Sequence, residues 1–139
     1  VMTNKKISDV KVGDELPALE IEITPRLIVG AAIASRDYQN VHHDKDGAQD
    51  LGSPDIFMNI LTTNGLVGRY VTDWAGPHAF LKKVAIRLGA PNYPGDNMKL
   101  TGTITNTSQD DQVIDIDIKG KNSMGYHVTG TVSVMLGYQ

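Results

Sequence analysis

Asp37 and His42 stand five positions apart in Ser35-Arg36-Asp37-Tyr38-Gln39-Asn40-Val41-His42-His43-Asp44, a stretch that reads as a turn between two short helices. A carboxylate can take a proton from water, and an imidazole, which titrates near neutrality, can hold or deliver one. A loop of this length can fold back so that both side chains enter one cleft, forming a general acid/base pair beside a substrate tunnel. The same two residues could instead end a helix and sit on the surface, and spacing alone does not separate the readings. Nothing else in the chain offers comparable chemistry. His42-His43-Asp44-Lys45-Asp46 has no second ligand cluster to join, because His78 and His127 are isolated and read as exposed. Asp44, Asp46 and Gly47 do not follow calcium-loop spacing, so no metal is expected. Gly89 to Asp96 reads as a long turn rather than a phosphate cradle, and no serine lies in a G-x-S-x-G context.

The elements that must hold this pair belong to one domain spanning residues 1–139, long enough to bury a core without staples. A composition of 40% hydrophobic and 21% charged residues argues for a globular chain and against disorder. The formal net charge of −3 leaves no basic field for nucleic acid or an anionic membrane. The absence of cysteine excludes a disulfide framework, a thiolate nucleophile and a cysteine-based zinc site, and suits a reducing cytoplasm. Val1-Met2-Thr3-Asn4-Lys5-Lys6 carries no apolar signal segment, and Asn59, Asn64, Arg69 and Asp73 interrupt the longest apolar stretch. Neither a signal peptide nor a membrane span is expected.

Leu19, Ile21 and Ile23 alternate with Glu20 and Glu22, the period of a half-buried strand. Thr24-Pro25 then signals a helix start, and Arg26 to Ser35 forms the helix. Asp44 to Leu51 reads as a second short helix ended by Gly52. The third, Asp55 to Trp74, is apolar nearly all round, with Ile56, Ile60, Val67, Val71 and Trp74 in one stripe, and is expected to be buried. Gly65 and Gly68 within it suggest close approach of a neighbour. Some of Asn59, Thr62, Thr63 and Asn64 could line a polar part of a ligand tunnel. Alternation after Pro77 then gives four strands. Phe80, Val84, Ile86 and Leu88 share a face of the first, and turns at 106–111 and 122–125 make the last three a meander. The expected architecture is α+β: an antiparallel sheet of about five strands wrapped around a long central helix, the hotdog arrangement. Its edge strands would be satisfied by dimerisation.

These residues resemble the MaoC-like (R)-specific enoyl-CoA hydratases, whose motif S-G-D-x-N-P-x-H corresponds to Ser35 through His42 and whose apolar helix begins near H-G-M, here around Met58-Asn59-Ile60. Val12-Gly13-Asp14 and Pro94-Gly95-Asp96 resemble the family's two G-D turns. Within the family, the segments Arg36–Asp44, Asp55–Thr62 and Gly65–Pro77 are most similar to the small subunit of heteromeric hydratases of bacterial steroid side-chain degradation. The chain departs from the motif in Arg36 for glycine, Gln39 for asparagine and Asn40 for proline, and Asn59 replaces the glycine of H-G.

The resemblance implies hydration of a trans-2-enoyl-CoA, with a bulky steroid side-chain acyl group, to an (R)-type 3-hydroxyacyl-CoA, or the reverse. It implies Asp37 as the base acting on water, His42 as the group that shares that water and protonates C2, and the Asn59 backbone N–H as the oxyanion donor. Asn40, Gln39 and Arg36 are further candidates for substrate binding. If Asn59 serves in this way, the central helix must begin nearer residue 57 than Pro54. No cofactor is implied. The partners implied are the acyl-CoA thioester and a second MaoC-like subunit, in a heterodimer or α2β2 heterotetramer, with a homodimer as the other possibility. Two other functions use the same residues: a (3R)-hydroxyacyl-thioester dehydratase subunit of fatty-acid synthesis, and a non-catalytic hotdog subunit supporting a partner. A thioesterase fits less well, because the central helix carries carboxylates only at its ends.

Overall fold

Alternation along the strand segments becomes an inward layer of apolar side chains. The computed structural model describes residues 3–137, so Val1 and Met2 of the polar N-terminal segment lie outside it. The elements run β1 (Glu15–Glu22), α1 (Pro25–Ala34), a 3-10 turn (Asn40–His42), α2 (Lys45–Asp50), α3 (Ile60–Ala75), β2 (Phe80–Leu88), β3 (Asn97–Ser108), β4 (Val113–Asn122) and β5 (Gly125–Met135). All five strands form one antiparallel sheet in the order β1-β3-β4-β5-β2. Met98, Leu100 and Ile104 of β3, Ile114, Ile116 and Ile118 of β4, and Val128, Val132 and Val134 of β5 are fully or almost fully buried on its inner face. Val67, Val71 and Ala75 of α3 close the core against them.

Bulges change which residues face inward. A register shift between Leu81 and Lys83 puts Leu81 with Val84, Ile86 and Leu88 on the half-buried face of β2, and leaves Phe80 58% exposed. The expected Phe80 face is therefore displaced by one bulge. A second shift pairs Lys121 with Tyr126 and Gly120 with Val128, so His127 is the extra residue and turns inward, 1% exposed. It is a core histidine, contrary to the surface position its alternation suggested. His78 is exposed, as expected. The β3–β4 turn occupies 109–112, because Asn106 to Ser108 remain paired with β4.

Helix ends follow local chemistry. Thr24 caps α1 by accepting the Leu27 N–H, with Pro25 at the first helical position. The central helix begins at Ile60, not near Asp55. Pro54 and Asp55 instead form a bend and Ile56 to Met58 have no regular secondary structure, with the Phe57 N–H donated to the Val41 carbonyl and the Met58 N–H to the Asn92 carbonyl. Ile60 is half exposed and Asn64 exposed, so the buried stripe is Thr63, Val67, Tyr70, Val71 and Ala75. Gly68 lies beneath Leu81 of β2, whereas among the described residues nothing comes within 4 Å of where a Gly65 side chain would begin. No helix of the described residues is long and apolar enough to cross a membrane.

Candidate active site

The end of α1 aims the first functional group. Ser35 closes the helix, and Arg36 adopts a left-handed conformation with φ 57°. The Arg36 N–H donates to the Ile33 carbonyl and the Asp37 N–H to the Ala32 carbonyl, the paired bonds of a Schellman motif. That motif reverses the chain and presents Asp37 at the helix end. The 3-10 turn then brings back His42, which is 6% exposed, so that its Nε2 lies 3.4 Å from Asp37 Oδ2.

His42 Nδ1 lies 2.6 Å from the Phe57 carbonyl oxygen. A carbonyl only accepts, so Nδ1 carries the hydrogen and Nε2 presents a lone pair toward Asp37 in the neutral ring. The Phe57 ring packs edge-on against the imidazole, with centroids 5.1 Å apart. The irregular Pro54–Met58 segment thus orients the histidine, and the residue after it caps the central helix. Asn59, 2% exposed, accepts the Thr62 N–H on Oδ1 at 3.0 Å and donates from Nδ2 to Asp37 Oδ2 at 3.0 Å and to Ser35 Oγ at 3.1 Å. The Asn59 amide, with the Gln39 backbone N–H on the other carboxylate oxygen and His42 alongside, holds the Asp37 carboxyl below its ordinary pKa against the opposing effect of burial.

Because α3 starts at Ile60, the Asn59 N–H stays outside the helical ladder and has no acceptor among the described residues. It joins the unpaired first-turn N–H groups at the positive end of the helix dipole, the arrangement that suits a developing oxyanion. Behind it, His127 Nδ1 donates to the Ala90 carbonyl at 2.7 Å and Nε2 accepts the Thr63 hydroxyl at 2.8 Å, tying the start of α3 to β5. Beside it, a groove of about 340 Å³ runs between Ala31, Ala34 and Ser35 on the α1 side and Leu61, Thr62 and Gly65 of α3. The groove is shallow and open to solvent, and it is reached from the cluster through Ser35 and Thr62, both hydrogen-bonded to Asn59, rather than being lined by Asp37, His42 or Asn59 themselves.

Asp37, His42 and Asn59 therefore converge. The side chains of Arg36, Gln39 and Asn40 are exposed and make no hydrogen bond to this cluster among the described residues. Thr62 and Thr63 hydrogen-bond to Asn59 and His127 beside the groove, while Asn64 turns away. Sequence reasoning missed Ser35 and Phe57 as members of the site. Ser35 opens the motif and could have been found there, but Phe57 contributes its carbonyl, which residue type does not signal. Among the described residues no group of side chains is arranged to hold a metal ion.

Residues 9–124 match the family model described as "MaoC like domain". The chain is 48% identical over 125 residues to the 3-oxo-4,17-pregnadiene-20-carboxyl-CoA hydratase beta subunit of Mycobacterium tuberculosis, covering 90% of this chain and 95% of that one. A chain in the crystal structure of the ChsH1-ChsH2 complex from the same organism superposes with a TM-score of 0.88 at 47% identity, covering 91% of this chain and 98% of that one. The unliganded R-hydratase PhaJ1 from Pseudomonas aeruginosa has the same fold, with a TM-score of 0.88 at 19% identity, covering 98% of this chain and 88% of that one.

Proposed function

This chain belongs to the MaoC-like domain family, and from that membership we propose that it is the small, catalytic subunit of a heteromeric enoyl-CoA hydratase. Its substrate is a trans-2-enoyl-CoA with a bulky steroid side-chain acyl group, and its place is the cytoplasm. The observation that carries this reading is the approach of His42 Nε2 to Asp37 Oδ2 beside the Asn59 N–H, which has no acceptor among the described residues.

A water held between Asp37 and His42 attacks C3. As the C3–O bond forms, the water proton passes to His42 Nε2, and the π electrons move onto the thioester oxygen. The Asn59 N–H stabilises that enolate oxygen. When the enolate collapses, C2 takes the proton from the imidazolium, giving a 3-hydroxyacyl-CoA, and dehydration reverses each step. This division of labour gives the proton to His42, because its tautomer leaves Nε2 free. Asp37, held ionised, is a weak base; it orients the water and stabilises the imidazolium. Arg36, Gln39 and Asn40, exposed around the pair, are the candidates for contacts with the rest of the thioester.

The acyl group enters the groove between α1 and α3, and a second MaoC-like subunit completes the enclosure. Edge strand β2, whose inner face is half exposed, is the expected docking edge.

The test is hydration of an enoyl-CoA by the chain co-expressed with a second MaoC-like subunit. Asp37→Asn and His42→Ala each lower kcat by about 10²- to 10⁴-fold in proteins that remain folded by circular dichroism. Folded variants that keep full activity end the proposal.

A further inference from the structure

We propose that the Asn59 side chain is a positioning residue, locked by its capping of α3 so that its amide holds the Asp37 carboxylate toward His42. The inference rests on the hydratase reading above but concerns a different group from the backbone N–H used there.

A carboxamide has two donor hydrogens and an acceptor oxygen, and here every one is engaged. Oδ1 accepts both the backbone N–H and the hydroxyl of Thr62, while the two Nδ2 hydrogens reach Asp37 Oδ2 and Ser35 Oγ. Ser35 Oγ spends its own hydrogen on the Ala31 carbonyl at 2.8 Å, so it can only accept from Asn59. Turning the amide over would place its oxygen against a carboxylate and its nitrogen against two donors. The cap therefore decides which end of the amide faces Asp37.

The other partners of Asp37 do not substitute for this one. The Gln39 N–H reaches Oδ1 at 3.3 Å, a long contact, and His42 Nε2 donates only when protonated. Before water is activated, the Asn59 amide is thus the short donor on the oxygen nearest the histidine. It is 2% exposed, so bulk water does not compete for Asp37 from this side. The capping of the central helix and the aim of the catalytic carboxylate are consequently one arrangement. A small displacement of a reacting group costs about 10²-fold in rate.

The experiment is Asn59→Ser, which preserves a capping oxygen but has no donor long enough to reach Asp37. It is measured in the assembled enzyme alone and combined with Asp37→Asn. The expected result is a 10- to 100-fold lower kcat with KM within about twofold, on the order expected for misplacement. In the Asp37→Asn background the same substitution produces no additional loss. Carbon-13 NMR of the side-chain carboxyls shows the Asp37 titration midpoint moving up. Asn59→Asp, which also retains the cap, moves it further by adding a like charge, and serves if the serine variant folds poorly. Equal losses in both backgrounds, an unchanged carboxyl midpoint, or unaltered kcat in the single variant would overturn the inference. If Asp37→Asn itself keeps full activity, the hydratase reading fails instead, so the two failures are distinguishable.

Discussion

His42 and His127 show how one residue type acquires opposite duties from its neighbours. Each donates Nδ1–H to a backbone carbonyl, but His42 turns Nε2 toward a carboxylate at the protein surface, whereas His127 turns it to the buried Thr63 hydroxyl. Burial lowers the His127 pKa, an effect the Ala90 carbonyl only partly offsets. A depressed imidazole pKa means that the unfolded chain binds the proton more readily than the folded one. Stability is therefore full above the ordinary value near 6.5 and declines as pH falls below it. Melting temperature recorded against pH should drop below pH about 6.5, and His127→Gln should flatten that part of the curve. Asp37 acts in the same direction in a lower pH window. Its lowered pKa contributes stability above the ordinary carboxylate range that is lost as pH falls through the folded value, so the two effects separate on the pH axis.

The C-terminus of α1 carries a conflict between conformation and residue type. Arg36 occupies the left-handed position of a Schellman motif, where an L residue costs about 1–2 kcal/mol relative to the right-handed region. Arg36→Gly should relieve this and, after the entropy penalty of glycine, raise stability in urea by roughly 0.5–1 kcal/mol. The same variant should raise KM for a CoA thioester if the guanidinium meets the substrate as proposed. At the N-terminus of α1, Thr24→Ala removes the acceptor for the Leu27 N–H and should cost about 1 kcal/mol in the same titration.

The sheet has two edges, and they are unequal. β1 buries Leu16 and Ile21, with Ile23 just beyond it, whereas β2 buries no residue fully and leaves Leu81, Val84, Ile86 and Leu88 half covered. That inner face makes sense once a second subunit extends the sheet. Ile86→Asp should leave the chain folded by circular dichroism yet prevent co-purification with the second MaoC-like subunit. Gly130→Ala should be harsher, because a Cβ there would meet the Ala85 backbone oxygen and prise β2 from β5. Its melting temperature should fall before assembly is considered.

Alternation and helix punctuation made most elements legible in the sequence, because period-two strands and Thr24-Pro25 express local forces that act within a few residues. The motif from Ser35 to His42 likewise made the approach of Asp37 and His42 legible, since those groups lie close in the chain and the turn between them is local. The start of α3 was misplaced for a tertiary reason. Pro54 offers a helix start, but Val41 and Asn92 capture the next backbone donors, and those partners lie far away in sequence. The same limit hid the inward turn of His127, decided by a bulge against β4, and the grip of the Asn59 amide on Asp37, decided by packing α3 against the end of α1. Residue order determined which groups were available for chemistry; long-range hydrogen bonding decided their orientation, because each has competing local partners that only the folded chain removes.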